Sequence, residues 1–547
     1  MKRTLLPLLA TLGSILHAEP ISEPVLQAAA ARIDAAFMER REEEKKLAES
    51  RGLMAEMPPR ASDLVFLRRA CMDLAGRLPA PEEIRQFIAD PSENKRAHLV
   101  DQLLAEPGAN EVRFRSLAEA LRIKDDIGQQ SQAPFIRWLR QEIAKDTPYD
   151  QLIATMLRSD GSGDLATDPA AGMLQRDEGD MLHTSSELAR ALLGADLHCA
   201  QCHNHPFADF TQKQSYEFAA CFVPEGAPPV TLPRPYYYRD GKPGQAVDPK
   251  FLPLDQIKAD DPRSAFQAGP HPGSNRRNQL ALWFNGPNNK RFSEMSALRL
   301  WQRLSGFMPG TARQTEGAAE KETWHDVISR RGCDTPPSWN TLTHSGFFDL
   351  SKNRDARILQ TLGEEFIHSG SRQREFLRIL ARTEAYQRES VSRAHMFHFV
   401  VPASPRLRRI PPHITWDAWA TWLPAADADA QTSTALPQVP PPAHPLRLLG
   451  QGTREWADET APVISHGLAR FMMASPLITR VSASEKLVLS GAKPVQQVEH
   501  LFLTTLGRFP EEREQTVALA HLAAHPESGT QDIAWALLNT SEFLFLP

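Results

Sequence analysis

Apolar residues recur along most of the chain at intervals of three and four, the period of helices with one buried face. Ser62-Asp63 can cap a helix through Phe66, Leu67 and Cys71. Pro79–Glu83 opens another, with proline in its first turn and acids at the positive end of the dipole. Pro134–Ile143 and Tyr149–Leu157 continue the series. Thr184-Ser-Ser-Glu187 reads as the start of a helix carrying Leu188, Leu192 and Leu193, which ends at Gly194. Helical spacing returns over 276–390, interrupted at Pro336-Pro337, with Trp301, Phe366, Phe376, Leu377 and Leu380 as the expected core. Near the C-terminus one helix runs through Val498, Leu501, Phe502 and Leu506, and another through Ile533, Trp535, Leu537 and Leu538. The pattern predicts a mostly α, multi-domain helical protein with irregular Pro/Gly-rich connections.

Those connections divide the chain. Residues 19–57 are Ala-rich and then densely charged (Glu39–Lys46), a solvated helical leader. A helical domain over 58–222 is followed by a Pro/Gly-rich linker over 223–275, in which Tyr236-Tyr-Tyr238 either packs or stacks on a sugar ring. A second helical domain, 276–547, carries a Pro-rich loop at 437–445. Asp160-Gly-Ser-Gly-Asp164 lacks the glycine and terminal acid of a calcium loop and reads as a turn.

Composition narrows the class. At 547 residues the chain is too long for one ordinary core, and 41% hydrophobic with 24% charged residues is the balance of a soluble globular protein. A net charge of −5 gives no reason to expect a nucleic-acid partner, and Arg406-Leu-Arg-Arg409 reads as a solvated basic face. Lys2 and Arg3, the apolar run Thr4–Leu16 and Ala18 form a signal peptide over residues 1–18, which predicts a periplasmic or secreted protein. An uncleaved N-terminal anchor is the other reading of that segment; no later segment is long enough to span a membrane. In an oxidising compartment Cys71, Cys221 and Cys333 allow at most one disulfide and leave a thiol over; Cys71 fits a buried helix face.

The chemistry concentrates in His198-Cys-Ala-Gln-Cys-His-Asn-His-Pro-Phe207. Cys199, Cys202 and His203 form Cys-x-x-Cys-His, the attachment signature of a c-type haem. Two thiols one turn apart can add to the two vinyl groups, and the histidine that follows supplies the proximal nitrogen. Two other readings stay open. Cys199 and Cys202 with His203 or His205 could bind zinc or iron, or the cysteines could be a dithiol or disulfide. No Gly-x-Ser-x-Gly elbow, phosphate loop or His-Glu-x-x-His is present, so hydrolase and nucleotide chemistry have no foothold.

The chain resembles a two-domain cytochrome-like family of planctomycetes and verrucomicrobia, domain of unknown function "fifteen-forty-nine" followed by "fifteen-fifty-three". The first domain is carried by Leu67–Gly76, Pro79–Glu83, Asp146–Asp150, Cys199–Phe207, Thr211-Gln212 and Tyr216–Phe222. Leu280–Trp283, Pro336–Ser338, Ile379–Tyr386 and Trp535–Phe543 carry the second. Leu298-Arg-Leu-Trp301 and Arg113-Phe-Arg-Ser-Leu117 depart from its pattern. The resemblance implies haem c on Cys199, Cys202 and His203, used in electron transfer with a redox partner or as the redox part of an extracellular oxidoreductase. His205, in the same motif, cannot reach the opposite face of that iron. It serves as a hydrogen-bond partner or proton relay behind the site, or as a structural histidine fixed by Pro206. Met173, Met181 and His183, just upstream, are the candidates for a distal ligand. The competing function is a metal-stabilised or disulfide scaffold that works with proteins processing extracellular polysaccharide.

Overall fold

The computed structural model describes residues 20–50, 57–159, 164–205, 210–233, 243–253, 275–286, 289–306, 355–391, 403–456, 460 and 465–546. The leader at 1–18, Gly161–Gly163, Tyr236–Tyr238, Cys333 and Pro336-Pro337 lie outside them. The described chain is mostly α. In order its main helices are α1 (Glu23–Ser50), α2 (Asp63–Ala70), α3 (Pro81–Ala89), α4 (Lys95–Ala105), α5 (Pro107–Ala120), α6 (Ala133–Ala144), α7 (Tyr149–Arg158), α8 (Met181–Leu193) and α9 (Gln212–Ala219). There follow α10 (Arg276–Phe284), α11 (Lys290–Ser305), α12 (Ala356–His368), α13 (Gln373–Arg382), α14 (Pro412–Trp422), α15 (His466–Ala474), α16 (Pro476–Ser482), α17 (Pro494–Leu506), α18 (Glu512–Ala524) and α19 (Gly529–Leu538). No described helix is long and apolar enough to cross a membrane. Two short antiparallel pairs complete the elements. β1 (Asp126–Ile127) pairs with β2 (Gln130–Ser131), and β3 (Arg408–Arg409) pairs with β4 (Phe545–Leu546) in the register Arg408 to Leu546.

Local chemistry explains the helix starts. The Ser62 hydroxyl accepts from Val65 N–H at 3.3 Å, and Pro81 occupies the first position of α3. One expectation shifts. Helix α8 begins a turn before Thr184, because Asp180 Oδ1 accepts the His183 N–H at 3.0 Å and takes the capping role. Ser185 and Ser186 then donate back to the Leu182 carbonyl inside the helix, at 3.0 and 2.9 Å, and Glu187 is freed for other use.

Packing corrects a second expectation. The 28-residue α1 is charged on one side, but it is not a solvated leader. Leu26, Ala29, Ala30, Ile33, Ala36 and Phe37 form a buried stripe at helical spacing. Phe37 lies against Trp301 at a ring separation of 4.8 Å, Arg32 grips Glu365 with two bonds of 2.6 and 2.9 Å, and Arg40 pairs with buried Asp355 at 2.8 Å. Helix α1 is thus a wall of the main core. That core includes helices from both sides of 223–275: Tyr149 of α7 stacks on Phe292 of α11 at 5.5 Å, and Trp301, Phe366, Phe376, Leu377 and Leu380 are all buried. A second core gathers Trp416, Trp419, Leu468, Ile478, Leu501 and Leu538. Between them lies a small apolar seam of Met72, Ile410, Ile414 and Leu546. Cys71 and Cys221 are buried and unpaired.

Candidate functional site

Gly194 ends α8 in the left-handed conformation, φ +64°, and turns the chain toward the motif. The positive φ favours glycine there, and a Cβ would also push aside the Met295 side-chain end, whose Cε and Sδ it would meet at 2.9 Å. Buried Ala195, Leu197 and Ala200 then anchor a single 3₁₀ turn, Cys199–Gln201. The N–H groups of Cys202 and His203 both donate to the Cys199 carbonyl at 3.3 Å. Cys199 is half-buried and Cys202 exposed, and both thiols are free.

Helices α8 and α9 clamp this turn. From α8, Ser186 Oγ accepts from Gln201 Nε2 at 2.8 Å. From α9, Gln212 Nε2 and the Tyr216 hydroxyl donate to the Gln201 carbonyl at 3.1 and 3.3 Å, while Asn204 Oδ1 accepts the Gln212 N–H at 2.9 Å. Asn204 therefore satisfies one of the open N–H groups at the start of α9, and the Thr211–Gln214 capping box satisfies others. The turn is fixed from both sides.

The orientation of His203 is set locally. Its Nδ1 lies 2.7 Å from the Asn204 carbonyl oxygen. A carbonyl only accepts, so Nδ1 carries a proton and donates, which in the neutral ring leaves the lone pair on Nε2. That is the tautomer a metal-ligating histidine needs. The arrangement places two free thiols and one imidazole within the span 199–203 of one clamped turn, the donor types that a covalently attached haem uses. His205 is buried and its N–H donates to the Phe210 carbonyl at 2.8 Å. Among the described residues no three His, Cys, Asp or Glu side chains come together as a metal-holding group.

The candidate distal ligands are dispersed. Met173 is buried in the main core, where it lines a small cavity with Leu121, Phe135 and Arg176. Met181, in the first turn of α8, packs partly buried against the same core. His183 Nε2 lies 3.2 Å from Arg122 Nη1 and 3.7 Å from Asp177 Oδ1, inside a charged cluster.

That cluster is what sequence reasoning missed. His198, next to Cys199, has Nδ1 2.8 Å from Asp196 Oδ1 and Nε2 2.9 Å from Glu187 Oε1. Burial disfavours its charged form, but the two carboxylates outweigh burial and raise its pKa to about 9. Burial likewise pushes Asp196 up, yet hydrogen bonds from the His198 ring and backbone bring it down to about 2. Glu187 also reaches Arg122 (3.3 Å) and Arg190 (3.8 Å), and Arg122 grips Asp177 at 2.6 Å. Half-exposed Trp456 closes the group edge-on, with ring separations of 5.6 Å to His198 and 6.2 Å to His183. The neighbouring Glu455 holds that loop down by pairing with Lys124. The one sequence signal was Glu187, whose place in Thr-Ser-Ser-Glu suggested a capping role instead.

The molecule is therefore a mostly α protein with a Cys-x-x-Cys-His turn locked between two helices. Residues 37–225, which include that whole turn, match a family model described as PSCyt2, a protein of unknown function (DUF1549). The match covers the N-terminal part of the chain and identifies it as similar to that family. No curated protein and no solved structure matches the chain.

Proposed function

We propose that this is an exported cytochrome-like protein that holds one haem c through Cys199, Cys202 and His203, for electron transfer or as the redox part of an extracellular oxidoreductase. The observation that carries the reading is the Nδ1–H bond from His203 to the Asn204 carbonyl, which leaves Nε2 free as a ligand. The haem, when bound, supplies the one-electron chemistry. The protein's own residues do the rest. Cys199 and Cys202 tether, Asn204 orients His203, and the clamps from Ser186, Gln212 and Tyr216 hold the turn rigid. The leader at 1–18 supports export, which covalent haem attachment requires.

A dithiol function is disfavoured by the surroundings of Cys199. Burial raises its pKa first, and the nearby Asp196 and Cys202 raise it further, whereas reactive thiols sit where their pKa is depressed. The test is the full chain exported from a host with haem-attachment machinery. A c-type pyridine haemochrome and the mass of one haem are expected, both lost in Cys199→Ser/Cys202→Ser. Colourless protein from that host, or colour that survives the double substitution, sinks the reading; zinc in the colourless protein moves the weight to the scaffold alternative.

A further inference from the structure

At the seam between the two cores lies a buried guanidinium that no carboxylate hydrogen-bonds. Arg303 sits in the last turn of α11. All three nitrogens of its guanidinium are buried and have no hydrogen-bond partner. The surroundings are crowded and polar. The Arg406 N–H donates to the Ser305 carbonyl at 2.7 Å, which brings β3 against the end of α11. A Cβ on Gly306 would meet Arg408 Cδ at 3.0 Å. Arg408 Nη2 donates to Asp73 Oδ1 at 2.5 Å, but its buried Nη1 has no partner. Asp73 is the nearby acid on the π-helical turn Cys71–Ala75, and its other oxygen already accepts the Tyr386 hydroxyl at 3.0 Å. Arg113 is occupied by Asp146 at 2.5 Å.

Helix α14 starts at the same seam. Pro411 makes no side-chain cap, so no acceptor side chain offsets the positive end of its dipole. His413, in its first turn, has a buried Nε2 with no partner. Arg303 keeps its charge at neutral pH: burial lowers its pKa, but only to about 10. Native proteins leave very few buried polar atoms unpaired, and such a group points to an ion or water that belongs there. Water satisfies hydrogen bonds but does not balance charge. An oxyanion does both, and the guanidinium fork matches its geometry.

We propose that this seam is an internal binding site for a small tetrahedral oxyanion, phosphate or sulfate, held by Arg303 with Arg408 Nη1 and His413 at the start of α14. Such a ligand ties α11 of the main core to β3 and α14 at the edge of the second core. The site shares no residue with the Cys-x-x-Cys-His turn.

The test uses the full chain purified in chloride buffer, with unfolding followed as phosphate, sulfate or chloride is added at constant ionic strength. Phosphate or sulfate is expected to shift the folding equilibrium in proportion to one plus the ratio of anion to its dissociation constant, about 100-fold when that ratio is about 100, and chloride is not. Arg303→Met abolishes that response and Arg303→Lys weakens it. A stabilisation that grows linearly with salt instead of with the logarithm of the anion concentration, or one equally large in Arg303→Met, reflects general salting-out and overturns the site. If Arg303→Met does not fold, ion chromatography decides on wild-type protein desalted from phosphate and then denatured. About one phosphate per chain supports the site, and none overturns it.

Discussion

The charged cluster behind the motif and the charged seam between the cores are built from the same residue types with opposite bookkeeping. Behind the motif, Asp177, Glu187 and Asp196 face Arg122, Arg190 and His198, each carboxylate within 4 Å of a cation. At the seam, Arg303 has no acid of its own, because Arg408 and Tyr386 already engage Asp73. A buried ion pair is at best a modest net contributor, but removing one partner is severe because the other charge is left stranded. The first cluster is therefore a rigid frame that tolerates no deletion. The second resembles a frame with a member missing.

The largest effect is expected where compensation is complete. Glu187→Gln takes one negative charge from among Arg122, Arg190 and His198, and should cost about 3–5 kcal/mol in urea unfolding. Arg122→Met strands Asp177 and Glu187 and should cost a similar amount, about 3–5 kcal/mol. A loss below about 1 kcal/mol in both variants would mean that the pairs are loose and solvated, and the contrast would collapse.

Asp34 offers an intermediate case, a carboxylate held by dipoles instead of a cation. It accepts the N–H groups of Glu384 and Ala385 at 2.8 and 3.0 Å. Burial still wins and raises its pKa from 3.8 to about 6. A raised folded-state pKa means the folded protein holds the proton more tightly than the unfolded chain. That stabilisation is complete below pH 3.8 and lost as pH rises through about 6. Asp34→Asn gives up one of the two N–H bonds at every pH, because an amide has a single acceptor oxygen, but its stability relative to wild type should improve by up to about 3 kcal/mol between pH 4 and pH 7. Urea midpoints of both proteins at both pH values decide it, and a difference that does not move in favour of the Asn variant from pH 4 to pH 7 contradicts the assignment.

How far the sequence disclosed all this depended on the distance over which each cause acts. Trp301, Phe366 and Leu380 were legible as core because helical period alone buries them. The Cys199–Cys202–His203 turn was legible as a candidate because all its members lie within one short stretch of sequence. Helix α1 was misread as solvated since its buried stripe is largely alanine and its anchors, Glu365 and Asp355, lie more than 300 residues away. The basic run Arg406–Arg409 was misread for the same reason. Arg408 is only 14% exposed and is spent on Asp73, 335 residues earlier in the chain. Glu187, Asp196, His198 and Trp456 form a group only once α8 and the 450–456 loop are in place, and no local pattern marks them.

The smallest change carries the sharpest sign. In buffer free of oxyanions, Arg303→Met removes a buried guanidinium that no carboxylate hydrogen-bonds and puts apolar volume in its place. The exchange should alter stability by less than about 1 kcal/mol, or raise it, although Arg122→Met at the other cluster is costly. Methionine can fill the stem's path beside Gly306 and the Met72–Ile410–Ile414 seam without a polar atom to satisfy. With phosphate present the order reverses, since only wild type gains from the anion. Two melting curves of each protein, with and without phosphate, therefore separate an arginine that is merely buried from one that is waiting for a ligand. A loss of about 3 kcal/mol or more without phosphate would mean that Arg303 is already compensated within the fold, and the two clusters would then be alike.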